Sequence, residues 1–295
     1  MGVELAPLPP RPLPLNGRSG VAIMLVVAAL WAMWLLRISP EELLPTRGGL
    51  AVAASFLSRA VSPALTYESG VPPGTTPLLG KALLAANMTV TFAAAAMSLA
   101  LLSGLVLGFL ASSAWWSDEQ GGGTRGAVRV ARTIGPVVYI TTRMVIAILR
   151  SIHELLWAVL LLAALGVSHL AAVIAIALPY TGVLAKVFSE MIDEAPREAA
   201  KALREAGASP LQVYFFGLIP RAFPDMTAYA FYRFECALRS SVVIGFFGFP
   251  TLGYYIAASF ENLLYGEVWT YLYVLFALIA LMDWWSGALR RRFVA

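Results

Sequence analysis

From Ala82 to Ser117 the chain runs without a single Asp, Glu, Lys, Arg or His. A helix crossing a bilayer needs about 20 mainly apolar residues, and this run supplies them with enough left over for a tilted span and a tail among the headgroups. Trp115 and Trp116 stand where an interfacial aromatic belt belongs. The whole chain is 59% hydrophobic and 13% charged, whereas a soluble domain carries roughly a quarter charged residues. That much apolar surface does not fit inside one soluble core, so the pattern predicts an all-α membrane protein.

Further apolar segments follow the same rule. Residues 20–36 form the first transmembrane helix, after a Pro-rich tail at 1–19 that reads as cytoplasmic; no A-x-A site follows the apolar run, so the anchor stays uncleaved. Residues 37–80 make an external segment with room for a short amphipathic helix on the membrane. Residues 81–290 form a five-helix core, with spans near 82–117, 144–166, 168–188, 226–247 and 267–288, and 291–295 close the chain as a cytoplasmic tail. "SDEQGGGTRG" at 117–126 reads as a flexible loop.

With six spans and both termini in the cytoplasm, the inner segments hold Arg11, Arg18, Arg125, Arg129, Arg132, Lys186, Arg197, Lys201, Arg204, Arg221, Arg290, Arg291 and Arg292. The outer ones hold only Arg37, Arg47, Arg59 and Lys81. Thirteen cations against four satisfies the positive-inside rule and fixes the orientation.

"RSIHELLW", Arg150 to Trp157, opens like the His-Glu-x-x-His helix of zinc peptidases, which places two imidazoles on one face with the Glu as general base. Trp157 occupies the place of the second histidine, and His169 is the only other histidine in the chain. A zinc site is therefore rejected, and His153 is assigned a packing or hydrogen-bonding role near a helix start. Cys236 is the sole cysteine, which excludes an intramolecular disulfide and a thiolate cluster. No metal, cofactor or catalytic residue is expected.

The segment from Ala195 to Pro224 is a polar interruption with strong local signals. Pro196 suits a first helical turn, Asp193 and Glu194 complement the dipole, and Gly207 is a natural stop. Ser209, Pro210 and Gln212 read as N-cap, N1 and N3 of a capping box. The loop is therefore a helix, a sharp glycine turn and a second helix, which local physics reads equally as an element that docks a partner or as an ordinary solvated loop.

This stretch resembles the EAA loop of permeases from ATP-binding-cassette importers, with Glu198, Ala199, Ala200, Gly207 and Pro220 as the matching positions; Lys201 falls where the family spacing puts its Glu, and Ile-Pro replaces Leu-Pro. "LRSIHELLWA", "GVLAKVFSEMIDE" and "YRFECALRSSVVIG" resemble phosphonate importer permeases in particular, with His153 in place of a proline. Similarity extends over most of residues 80–290. The resemblance implies the type I importer permease fold. It also implies that Glu198, Ala199, Ala200, Lys201, Gly207, Ser209 and Pro220 couple the chain to a separate ATPase. Two ATPase subunits, an external solute-binding protein and a second permease copy, as a homodimer in the bacterial inner membrane, are the implied partners, with lipid around them and no nucleic acid.

Arg150, Glu154, Arg233, Glu235 and Arg239 fall at bilayer depth, where a charge costs on the order of 3 kcal/mol. Arg150 and Glu154, and Glu235 and Arg239, are spaced i,i+4 and can pair along a helix. The same residues, Arg233 above all, can instead line the path of a small oxyanion through bidentate guanidinium contacts. Gly245, Gly248, Pro250 and Gly253 break the next segment and are candidates for an outer gate or for a plain extracellular turn.

The sequence contains no G-x-x-x-x-G-K-[ST] phosphate loop, so the chain itself is not expected to be an enzyme. The leading expectation is the translocating subunit of an ATP-driven importer for phosphonates. Phosphite, hypophosphite, phosphate and selenate-like oxyanions are alternatives. An ion-driven secondary transporter would require internal repeats, and an intramembrane enzyme a catalytic constellation; neither is visible.

Overall fold

The structure, a computed structural model, describes residues 17–37, 39, 46–116 and 125–293. The tail before Gly17, the loop at 117–124 and the side chains of Trp115 and Trp116, of Arg18, Arg47, Arg125, Arg129 and Arg132, and of Arg290 and Arg292 lie outside the described set. The described residues are helical or irregular, with no strand among them.

Two compact units divide the chain at residue 57. The first contains α1 (Gly17–Leu35) and nearly all of α2 (Arg47–Ser58). The exposed side chains of α1 include Leu25, Val26, Leu30 and Trp31, a surface suited to lipid rather than water.

The second unit holds the remaining helices. α3 spans Leu78–Ala111 and α4 is the short turn Ser113–Trp116. α5 runs Arg125–Ser151, α6 Glu154–Leu165 and α7 His169–Glu194. Then come α8 (Glu198–Glu205), α9 (Pro210–Gln212), a π-helical turn (Val213–Leu218) and α10 (Ile219–Val243). A 3₁₀ turn (Ile244–Phe247), α11 (Leu252–Glu261) and α12 (Tyr265–Phe293) complete the chain.

Among the described residues four helices are long and apolar enough to cross a membrane, and a fifth span arises if the helices on either side of 248–251, bent by 48°, count as one. The segment expected as a single span at 144–166 is two helices, because the helical ladder stops at Ser151 and restarts at Glu154. No proline or glycine marks this break. His153 takes an extended backbone and caps the new helix, its Nδ1 accepting from the Leu155 amide at 3.3 Å.

The heart of the unit is the seam between α3 and α7. Small residues recur along α3 at helical spacing, with Ala82, Ala93, Ala96 and Ala100 fully buried and Gly104 and Gly108 continuing the line. A Cβ on Gly104 would sit 3.0 Å from that of Leu184, and one on Gly108 would sit 3.3 Å from the Ala185 carbonyl. In lipid, where no hydrophobic force drives helices together, such close backbone approach is what holds them. Ser103 and Thr181 add a 2.7 Å hydroxyl bond across the seam.

Residues 58–77 lie against the start of α12. Glu68 accepts from the Gly266 amide at 3.0 Å while its own amide donates to Glu267 at 2.9 Å, a reciprocal pair that satisfies backbone donors at a helix start.

Candidate functional site

The loop of 195–224 is a closed hairpin. α8 ends in a Schellman motif: Gly207 takes φ +83°, its amide donates to the Arg204 carbonyl at 2.9 Å, and the Ala208 amide donates to Leu203 at 3.0 Å. Ser209 then caps the next helix through the reciprocal bonds of a capping box. The Ser209 amide donates to Gln212 Oε1 at 2.8 Å, and the Gln212 amide donates to Ser209 Oγ at 3.5 Å.

The hairpin is sealed by Gly217, which the sequence reading passed over. A Cβ there would lie 3.1 Å from the Ala200 Cα, so Ala200 is wholly buried against it. Ala200 thus packs the loop onto itself and offers no surface to a partner. Glu198 and Lys201 stand exposed one turn apart, Ala199 is half-buried, and Gly207, Ser209 and Pro220 lie on the outside. Pro220, the second residue of α10, has no amide to donate, and the turn before it widens to the π form.

Asp193 does not serve the start of α8, whose N-cap is Arg197. Its carboxylate reaches α3 and α4 instead: Oδ1 accepts from the Ser112 hydroxyl at 2.7 Å and the Ala114 amide at 3.0 Å, and Oδ2 from the Ser113 amide at 3.0 Å. Arg143 on α5 approaches to 3.9 Å and also donates to the Ala111 carbonyl at the end of α3. The loop touches α3 a second time through the Tyr214 ring, edge-on to Phe109 with centroids 4.8 Å apart.

The candidate path residues separate. Arg150 and Glu154 do not pair along one helix, since the break falls between them and Arg150 is exposed at the end of α5. Glu154 instead accepts from Ser240 Oγ of α10 at 3.0 Å and lies 3.5 Å from His153 Nε2. Ser240 also meets the Tyr180 hydroxyl of α7 at 3.1 Å, so three helices join at one polar node. Trp157 donates its indole N–H to the Leu149 carbonyl at 3.4 Å, reaching back across the break. Arg233 is partly buried and donates to the Tyr229 hydroxyl at 2.8 Å, with the Tyr229 and Tyr232 rings 5.2 and 5.7 Å away. Glu235 is buried at 9% exposure, whereas Arg239 is exposed.

Gly245 and Gly253 are packing elements. A Cβ on Gly253 would collide with the Val242 carbonyl, and one on Gly245 would collide with the Tyr254 amide. Gly248, at φ +92° with open space around it, makes the turn, and Pro250 is exposed. Thr89 of α3 accepts from the Leu252 amide at 3.1 Å in full burial, and Phe249 meets Phe92 edge-on and His169 at a tilt, while the Phe92 and His169 rings stack on each other. His169 is thereby engaged at the far end of α6 from His153. No group of three metal-ligating side chains occurs among the described residues.

A cavity of about 790 Å³ opens between α3, α7, the π turn, α10 and α12. Met97, Phe109, Phe188, Phe223 and Trp285 give it an apolar lining unsuited to an oxyanion.

Several known proteins are similar in sequence or fold. The chain is 37% identical over 161 residues to the phosphite transport system permease protein PtxC of Stutzerimonas stutzeri, covering 54% of this chain and 58% of that one. It is 33% identical over 156 residues to the phosphate-import permease protein PhnE of Mycolicibacterium smegmatis, covering 53% of this chain and 29% of the relative. It therefore spans less than two thirds of either. In fold it is similar to the MetNI methionine ABC transporter captured in inward-facing conformations, with a TM-score of 0.61 at 19% identity over 74% of this chain and 99% of that one. Residues 123–295, more than half of the sequence, match the family described as the binding-protein-dependent transport system inner membrane component, and the chain belongs to that family of multi-pass importer permeases.

Proposed function

We propose that this chain is the translocating subunit of an ATP-driven importer for phosphonates or a closely related phosphorus oxyanion such as phosphite. Similarity to phosphite and phosphate permeases is the observation that carries the substrate class. Six spans with both termini in the cytoplasm place the 195–224 loop on the inner face, in keeping with the excess of cations there.

In this reading α8 presents Glu198 and Lys201 to a separate ATPase, while Gly207, Ser209 and the buried Ala200–Gly217 contact hold the presenting surface rigid. One such loop per chain and a pair of ATPases favour a homodimer. Arg150, Arg233 and Arg239 supply cationic character to the path; Glu154 and Glu235 keep it from holding an anion too tightly, since cargo must be released. An external binding protein provides most of the selectivity. Gly245, Gly248, Pro250 and Gly253 form a rigid corner at the outer end of the path.

The test is ATP hydrolysis by the chain reconstituted in lipid with its ATPase, on addition of binding protein loaded with phosphonates, phosphite, hypophosphite, phosphate or selenate. Stimulation by phosphonates or phosphite is expected. Stimulation by none of them would remove the substrate class, and failure to assemble with any ATPase would remove the permease–ATPase coupling.

A further inference from the structure

Asp193 sits in the last turn of α7, two residues ahead of the 195–224 loop, yet every partner of its carboxylate lies elsewhere. Ser112, Ser113 and Ala114 give it three hydrogen bonds from the α3–α4 corner, and Arg143 brings in α5. Its backbone carbonyl accepts from the Arg197 guanidinium at 3.0 Å, which ties the same residue to the N-cap of α8. One side chain and one carbonyl therefore connect four helices to the element that meets the ATPase in the reading above.

We infer that Asp193 is the positioning residue through which displacement of α8 reaches α3 and α5. The argument is mechanical. A carboxylate accepting hydrogen bonds in three fixed directions resists both translation and rotation of the corner it holds, and charge-assisted bonds are the strong ones. Between Asp193 and α8 lie only Glu194, Ala195, Pro196 and the N-cap Arg197, with Ala195 buried and Pro196 stiff. A push on α8 is thus delivered to Ser112 with little slack. Phe109 and Tyr214 provide a second, apolar attachment of the loop to α3. The inference rests on the loop being the ATPase-docking element.

Asp193→Asn is the informative variant. Its amide nitrogen cannot accept, so at least one of the three donors loses its partner while shape is kept. The complete transporter, reconstituted with ATPase and binding protein and offered phosphite, gives uptake per ATP hydrolysed. Asp193→Asn is expected to lower that ratio by about tenfold with hydrolysis retained. Ser112→Ala should lower it too, and the double variant should be no worse than Asp193→Asn alone.

A cargo-independent readout runs beside it: spin labels at Glu205→Cys and Leu102→Cys in a Cys236→Ser background. Their separation should stay narrow in both nucleotide states with Asp193 and spread with Asn. Normal uptake per ATP and an unchanged separation in Asp193→Asn overturn the inference, as do strictly additive effects of the two substitutions. A wild-type complex that hydrolyses ATP but takes up neither phosphite nor any of the phosphonates and other oxyanions named above defeats the substrate reading alone, because the spin-label distance still decides the link. A wild-type chain that binds no ATPase defeats the docking reading and this inference with it.

Discussion

Ser240 donates its hydroxyl to Oε1 of Glu154 across 3.0 Å, tying α10 to the first residue of α6 where the helical ladder restarts. Tyr180 reaches the same hydroxyl from α7. Irregular backbone at membrane depth persists only when its polar groups are satisfied by protein or a water-filled path. Removing the hydroxyl leaves the carboxylate without that donor, a loss of about 1–3 kcal/mol. Ser240→Ala should therefore lower the thermal midpoint of the purified chain in detergent, while Glu154→Gln, whose amide oxygen still accepts, should lower it less. Equal midpoints for wild type and Ser240→Ala would show the node to be slack.

His153 caps α6 through its ring nitrogen. Loss of such a cap costs about 1 kcal/mol. His153→Ala is expected to show that loss and His153→Asn to recover most of it, with chelators leaving the wild-type midpoint unmoved. A chelator-induced drop would reinstate a metal.

Gly207 and Gly253 are both constrained positions, for opposite reasons. Gly207 has open space around it and a positive φ, so Asn, which tolerates that conformation, should serve there. A β-branched residue should separate ATP hydrolysis from transport while the protein still inserts. Normal uptake by Gly207→Val would mean that the sharp turn is dispensable.

Gly253 faces the Val242 carbonyl so closely that even Ala has no room. Gly253→Ala should destabilise by about 1–3 kcal/mol or more. Gly248→Ala, strained in φ yet unobstructed, should cost only about 1 kcal/mol. Comparing the two by yield of monodisperse protein and thermal midpoint distinguishes a packed corner from a flexible gate, since a gate would tolerate both alike.

The hairpin of 195–224 was legible because its signals are local. Ser209, Pro210 and Gln212 lie within one turn, and Gly207 follows its helix directly, so propensity and capping chemistry determine the geometry. The apolar runs were legible from composition. The break at 152–153 was not: although the polar cluster Arg150, Ser151, His153 and Glu154 surrounds it, the apolar runs on either side add up to one membrane-crossing length, which reads as a single span at 144–166. Asp193 was read as a helix-dipole partner for the residues after it, although its bonds run to Ser112, 81 positions earlier. The glycines at 245 and 253 read as helix breakers at an outer gate or an extracellular turn, since sequence gives spacing and conformational freedom but not what stands opposite. Ala200 carried a family signature, yet Gly217 assigns it to packing.

The small-residue seam has a consequence for biogenesis. Ser103 and Thr181, bonded across it, are separated by 78 residues, and chains emerge from synthesis N-terminus first. Gly104 and Gly108 must therefore wait among lipid tails until α7 has entered the bilayer. Entry of α7 is expected to commit assembly, and truncations ending before it should leave α3 without its main mate and open to capture by quality-control proteases.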